Sequence, residues 1–246
     1  MLELNERRVI VTGAGSGVGA ATVTAAANHG AFVTALDINA PAPSQQNTPA
    51  QHKVNSITLD VSSEAHWASF AESLDPASID HLHLNAGIQS APPEAPLEKY
   101  AFKNLSLPHY RRMMGVNVDG VVLGLHYLLP KMKPGGSIVV TCSLAGIVPY
   151  EIDPLYSMSK HAVTGLVRSL KSELAERELR INALCPGGID TEIIPHAQRT
   201  DKTEFMTPEA IADEIINLFL TEESGSTWAK VSEAKAAWII HPPGKR

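Results

Sequence analysis

Short runs of Val, Ile and Leu recur along the chain. Between them lie longer stretches in which apolar residues return every three or four positions. The short runs are "RVIVTG" (8–13), "AFVTALD" (31–37), "SITLD" (56–60), "HLHLNAG" (81–87), "GSIVVTCS" (136–143), "RINALCPG" (180–187) and "AAWIIHP" (236–242). Several are apolar at successive positions, the pattern of parallel strands buried on both faces. The spaced stretches at 18–29, 64–74, 112–132, 156–177 and 208–221 read as helices. Thr207-Pro208 marks the start of the last one, with Thr as cap and Pro at the first helical position, where a missing N–H costs nothing. The alternation predicts an α/β fold, a doubly wound parallel sheet of about seven strands with helices on both faces. No change of composition divides the chain, so residues 1–246 are expected to form one domain. Residues 38–55 break the rhythm with three prolines and little apolar periodicity, and are expected to be mostly loop.

Composition narrows the function. Of 246 residues, 44% are hydrophobic and 19% charged, which suits a globular core. The net charge is −6 and no basic run exceeds two residues, so a nucleic-acid partner is not expected. No apolar stretch approaches the ~18 residues that span a bilayer, and the N-terminus has no signal-type apolar segment. The chain therefore reads as cytoplasmic, without a membrane partner. Cys142 and Cys185, both beside apolar runs, are expected to be buried free thiols. Two of the ten histidines lie in "HLH" at 81–83, but no cysteine or carboxylate cluster completes a site, so no metal is expected.

The first strand runs into "TGAGSGVG" and then a helix. Gly13, Gly17 and Gly19 stand in T-G-x-x-x-G-x-G spacing, with Gly15, Ser16 and Val18 in the same turn. Glycine lets the backbone approach a diphosphate, and the helix N-terminus offers that anion free N–H groups. Asp37 ends the second strand, 18 residues past Gly19. A carboxylate there can accept hydrogen bonds from both adenosine ribose hydroxyls and repels a 2′-phosphate. No basic residue follows it, which favours NAD over NADP.

These motifs, with "DV" at 60–61, "NAG" at 85–87, "VNVDG" at 116–120, Ser143, "YSMSK" at 156–160 and "PGGIDT" at 186–191, resemble the compact short-chain dehydrogenase/reductases over essentially the whole chain. The resemblance implies a Rossmann-like sheet and a catalytic group of Asn117, Ser143, Tyr156 and Lys160. It further implies that Asp60 and Val61 lie beside the adenine, and Asn85, Ala86 and Gly87 along the adenosine ribose. Lys160 would hold the nicotinamide ribose, and Asn117 a water that relays protons from Lys160. The turn from Pro186 and Gly187 to Ile189 and Thr191 would meet the carboxamide and diphosphate. The chain departs from the family at Leu84, where an Asn is common, in the proline-rich segment, and in its C-terminal "AAWIIHPPGKR".

A second Tyr-x-x-x-Lys pair, Tyr127 and Lys131, has the same spacing as Tyr156 and Lys160. Pro130 interrupts its helix, whereas the loop before Tyr156 can return it to the carboxyl end of the sheet, where ligands bind. A free phenol titrates near 10. A lysine ~4 Å away contributes up to ~3 pKa units before desolvation is subtracted. Tyr156 would then exchange a proton with the substrate oxygen while Ser143 holds that oxygen. The expected activity is NAD-dependent interconversion of a secondary alcohol and a ketone; the alternative is a silent dinucleotide-binding regulator. Loops 88–108, 144–155 and 192–206 should form a mostly apolar pocket from Pro92, Pro93, Ile147, Val148, Tyr150, Leu155, Ile193 and Ile194. Glu151, Asp153, His196 and Arg199 would be its polar contacts. Apolar residues around helices 112–132 and 156–177 suggest a homo-oligomer, a tetramer first.

Overall fold

The computed structural model describes residues 3–39, 54–199 and 204–242. Strands β1 (Arg8–Thr12), β2 (Phe32–Asp37), β3 (Val54–Thr58), β4 (Ile79–Leu84), β5 (Met132–Thr141), β6 (Arg180–Pro186), β7 (Ser226–Lys230) and β8 (Trp238–Ile239) form one sheet. Its order is β3-β2-β1-β4-β5-β6-β7-β8. All neighbours are parallel except β7 and β8. The order reverses between β1 and β4, so a crevice opens at their carboxyl ends, as in dinucleotide-binding sheets.

Helices α1 (Gly17–Asn28) and α7 (Pro208–Leu220) cover one face. There Val18 and Ala26 meet Val9, Val11, Ile211, Ile215 and Phe219. The other face is covered by α2 (Glu64–Glu72), α4 (Gly120–Leu128) and α5 (Pro154–Ser169), followed by the short α6 (Lys171–Ala175). Trp67, Phe70, Val121, Leu125, Val163 and Val167 pack there against Ile10, Leu82, Ile138 and Ile181. Leu84 is part of this core, and α4 comes close enough to it that a Cβ on Gly124 would stand 2.8 Å from its side chain. Both cysteines are buried and free. No helix among the described residues is long and apolar enough to cross a membrane.

Several sequence expectations change. The seventh strand is not 236–242 but Ser226–Lys230; only Trp238 and Ile239 of the predicted run pair, as a short antiparallel eighth strand. The polar Ser226, Thr227 and Lys230 mask β7 in the pattern, yet Thr227 and Lys230 are buried because each has a partner. Arg168 Nε donates to Thr227 Oγ1 at 2.9 Å, and Lys230 Nζ meets Glu214 at 2.8 Å.

The helix predicted at 112–132 begins earlier, as α3 (Leu107–Met114). It continues through a π-helical turn (Gly115–Asp119) into α4 and ends in a 3₁₀ turn at Leu129–Lys131. Most of the apolar residues that suggested an oligomer are covered within the chain: Val121, Leu125, Val163 and Val167 are buried, and Val118, Leu129, Leu166 and Leu170 pack against the core. Val122 is 46% exposed. Residues 40–53 of the proline-rich segment lie outside the described residues.

Candidate active site

The glycine turn is shaped by its neighbours. Thr12 Oγ1 accepts hydrogen bonds from the Asn85 and Ala86 amides at 2.9 and 3.2 Å, tying the end of β1 to the chain leaving β4. Gly17 has φ +51°, and Gly19 lies so close to the Gly13 carbonyl that a Cβ would approach its oxygen to 2.0 Å. Neither position tolerates a side chain. Ser16 precedes α1 without capping it through its side chain, which leaves first-turn N–H groups to face an anion. The Asp37 carboxylate accepts from Gly15 N and from Asn39 N, both at 2.9 Å, and is thereby fixed against the turn.

A cleft of about 450 Å³ starts here. Its wall runs from Asp37, Gly13, Ser16, Gly17 and Val18 past Asn85, Ala86 and Gly87 to Ser143, Tyr156 and Lys160. Pro186, Gly187, Ile189 and Thr191 close the far side. One continuous cleft thus joins the carboxylate, the glycine turn and the Ser–Tyr–Lys group. These residues fit a dinucleotide: a backbone cradle without Cβ atoms, a free helix N-terminus and a fixed carboxylate. A second cleft, of about 630 Å³ between α1 and α7, shares Ser16, Gly17 and Thr191 but has no Ser143, Tyr156 or Lys160.

Five of the predicted catalytic and cofactor residues do not line the main cleft. Gly15 holds the Asp37 carboxylate through its amide, and Gly19 is packed against the Gly13 carbonyl. Asp60 Oδ1 accepts from Ser62 N and Oγ at 2.9 and 2.7 Å. The Val61 carbonyl accepts from Trp67 Nε1 at 2.9 Å, and its side chain sits under Gly120. Asn117 stands in the π turn and joins two elements of the site. Its Oδ1 accepts from Ile88 N at 2.8 Å, while its Nδ2 donates to Ile88 O at 2.8 Å and to Ser159 Oγ at 3.0 Å.

Ser143 Oγ accepts from Ala145 N at 3.1 Å, and Ser143 acts to lower the Tyr156 phenol. Lys160 lies one helical turn further on. Its Nζ donates to Thr141 O at 3.0 Å and stands 5.6 Å from the centre of the Tyr156 ring. Burial dominates both groups. It holds the Tyr156 phenol above its ordinary value despite Ser143, and it lowers the Lys160 ammonium. The lowering of Tyr156 by Lys160 that the sequence suggested is absent from the groups acting on this phenol, and desolvation holds it above its ordinary value. The competing pair is placed quite differently: Tyr127 donates to Glu64 Oε1 at 3.2 Å, and Lys131 to Leu74 O at 2.7 Å.

The sequence reading missed how Tyr156 is aimed. Asp153 is fully buried and caps α5; its Oδ1 accepts from Tyr156 N at 3.0 Å and its Oδ2 from Ser90 N at 2.9 Å. Asp153-Pro154 carries the same start signal as Thr207-Pro208. Asp153→Ala leaves two buried N–H groups unpaired, and is expected to cost about 2–3 kcal/mol of stability. Urea unfolding measures this; a loss under about 0.5 kcal/mol would contradict the capping account.

The substrate end also differs from expectation. Tyr150, Ile193 and Ile194 line the cleft, joined by Gln89, Leu144, Ala145, Gln198 and Phe205. Pro92, Pro93, Ile147, Val148, Leu155 and Glu151 do not, and Asp153 is a cap. His196 turns to Glu192 at 3.5 Å, and Arg199 binds Asp190 at 2.6 Å. No short-range pattern flagged Gln89 and Gln198, which come from separate loops.

Residues 7–202 match the short chain dehydrogenase family. The chain is 31% identical over 242 residues to the cyclohexanol dehydrogenase of Acinetobacter sp. (strain SE19), covering 90% of each protein. It is 34% identical over 206 residues to the 2,5-dichloro-2,5-cyclohexadiene-1,4-diol dehydrogenase of Sphingobium indicum, covering 82% of this chain and 80% of that one. Among solved structures, the 3-ketoacyl-(acyl-carrier-protein) reductase from Brucella melitensis, complexed with NADH, superposes with a TM-score of 0.79. The two share 24% identity, with 93% and 98% of the chains covered, a likeness of fold. The fold and the family agree on an oxidoreductase with a Rossmann-like sheet. This chain belongs to the short-chain dehydrogenases.

Proposed function

We propose that residues 1–246 act as one domain that oxidises a secondary alcohol to a ketone with NAD, and catalyses the reverse reduction. The observation that carries this reading is the single cleft with Asp37 at one end and Ser143, Tyr156 and Lys160 at the other. The bound dinucleotide would supply the ring that accepts or returns the hydride. Its diphosphate would rest on the glycine turn and the start of α1, and its adenosine ribose on Asp37.

The chain's own residues then handle the oxygen. In reduction, the Tyr156 phenol donates its proton to the carbonyl oxygen while hydride arrives at the carbon, and the Ser143 hydroxyl hydrogen-bonds the same oxygen. In oxidation, Tyr156 must first lose its proton; the alcohol proton then passes to the phenolate as hydride leaves the carbon. Because burial raises Tyr156, oxidation should speed up as pH rises, while reduction has its phenol in place at neutral pH.

The apolar wall of Leu144, Ala145, Ile193, Ile194 and Phe205 suits a small ring. The relatives named for cyclohexanol and for a cyclohexadienediol support an alicyclic substrate. The test is to mix the purified protein with alicyclic alcohols and NAD or NADP, and follow the absorbance of the reduced nicotinamide. Turnover with a preference for NAD is expected, and failure to oxidise any alcohol in the panel would sink the reading. In the same assay, Asp37→Ala with Ile38→Arg should erase or invert the preference, because it replaces a repelling carboxylate with a cation. A wild-type preference for NADP would remove Asp37 from this role.

A further inference from the structure

At the substrate end of the cleft, Leu144, Ala145, Ile193, Ile194 and Phe205 surround a polar group beside Tyr156. Gln198 Nε2 donates to the Tyr150 hydroxyl at 2.7 Å. Gln89 lines the same cleft and acts on the same hydroxyl. The ring of Tyr150 meets that of Tyr156 edge-on, with centroids 6.1 Å apart. The Gln198 amide takes up acceptor capacity of the Tyr150 oxygen, so the Tyr150 O–H itself remains to donate. Gln89 is only 9% exposed, and its Oε1 is buried without a hydrogen-bond partner. Orphaned acceptors of this kind are uncommon in folded proteins, and each calls for a cause.

Together the group offers one donor, the Tyr150 O–H, and, once the Gln89 amide turns, one acceptor, Gln89 Oε1. A hydroxyl both donates and accepts, so it answers both; a keto oxygen can answer only the first. A carboxylate would bring an anion against Gln89 Oε1. Lys160 is the only cation among the described lining residues, and it is engaged by the Thr141 carbonyl. Burial keeps the Tyr150 phenol above its ordinary value, so it stays a neutral donor. The terminal torsion of a Gln side chain is broad, which lets the amide turn its oxygen toward an arriving hydroxyl without leaving its rotamer well.

We propose that Gln89 and Tyr150, braced by Gln198, recognise a second hydroxyl on the substrate, so that the protein selects cyclic diols and hydroxyketones over simple cyclic alcohols. This deepens the dehydrogenase reading above and rests on it for the position of the reacting carbon beside Tyr156. A site that holds a hydrogen-bonding pair for a substrate hydroxyl disfavours the analogue lacking it. For one neutral acceptor and one neutral donor the expected discrimination is about 10- to 100-fold.

The test separates recognition from turnover. Calorimetric titration of the protein saturated with NADH, which blocks oxidation, compares cyclohexanol with the cyclohexanediol isomers. At least one diol should bind about tenfold or more tightly than cyclohexanol. Gln89→Leu should collapse that ratio toward one. Tyr150→Phe, which keeps the ring and removes only the hydroxyl, should reduce it in part. The same ratios should appear in kcat/KM with NAD, carried mainly by KM. Equal affinity for cyclohexanol and every diol isomer would overturn the proposal, as would a ratio left intact by both substitutions. Selective diol binding without turnover of any alcohol would support this recognition and refute the dehydrogenase reading alone.

Discussion

Tyr156→Phe should lower turnover by about 10³-fold, within the range by which a positioned acid–base group accelerates proton transfer, and leave NAD affinity within a few-fold. The substitution removes one oxygen. The ring still fills its place among Met113, Ala145 and Leu155, and the glycine turn and Asp37 are untouched. Loss of the hydroxyl should also flatten the pH dependence. In the wild type, burial holds the phenol above its ordinary value, so the oxidation rate should climb as pH rises toward the alkaline range; the residual rate of the variant should not. Steady-state kinetics with a turned-over alcohol, across pH, measure both effects. A variant that keeps a tenth of wild-type turnover would dismiss Tyr156 as the proton carrier. Tyr127→Phe is the matched control: its hydroxyl reaches only Glu64 at the surface, and its removal should be nearly silent.

Acid should unfold the protein through two histidines in the middle of the sheet. His81 Nδ1 bonds Ser137 Oγ at 2.8 Å, and its ring stacks on Phe219 at 4.9 Å. His83 is fully buried; its Nε2 meets Thr141 Oγ1 at 2.7 Å while Nδ1 has no partner. Burial lowers His81 to about 4 and His83 to about 3. Around His81, Asp80 pulls the value up, but Arg7, Arg180 and Lys133 add to the lowering. Both folded values lie below the unfolded value of about 6.5. The unfolded chain therefore takes up protons first as pH falls, and stability is lost from about 6.5 downward toward the folded values. Between pH 7 and 5 the two sites together should cost about 4 kcal/mol, at 1.36 kcal/mol per pKa unit. That is a large share of the 5–15 kcal/mol typical of folded domains. Urea unfolding at both pH values should reveal it, and replacing His81 and His83 with Ile and Val should shrink the difference to that of the remaining groups. An unchanged pH slope in the double variant would refute the account.

What the sequence disclosed follows from what the chemistry constrains locally. The glycine turn, Asp37 and the Tyr156–Lys160 pair were legible because each needs particular residue types at short, fixed spacings. Asp153 was legible in principle, since a helix start followed by Pro leaves a readable signal. β7 was hidden because hydropathy cannot see that Arg168 and Glu214, distant in the chain, satisfy Thr227 and Lys230. Gln89 and Gln198 were hidden for the same reason: only the folded loops bring them to Tyr150. Asp60 and Val61 are a different case. Their motif is plain in the sequence, yet neither lines the cleft, and Ser62 holds one Asp60 oxygen while Trp67 holds the Val61 carbonyl. Periodicity likewise found a helix around 112–132 but not its early start, because the wider turn at Gly115–Asp119 throws the stripe out of phase.

That wider turn divides the labour of one continuous rod. An added residue swings everything beyond it by roughly 100° about the axis, so α3 and α4 answer to different neighbours. Before the turn, Tyr110 and Met113 pack with Leu155, Tyr156 and Ile193 at the substrate end. Beyond it, Val121, Leu125 and Leu128 belong to the core under the sheet. Asn117 pins the junction to Ile88 and Ser159. The stretch from 88 to 114 is thereby pinned at its start as well as its end, and Gln89, its one residue on the cleft, sits next to that pin.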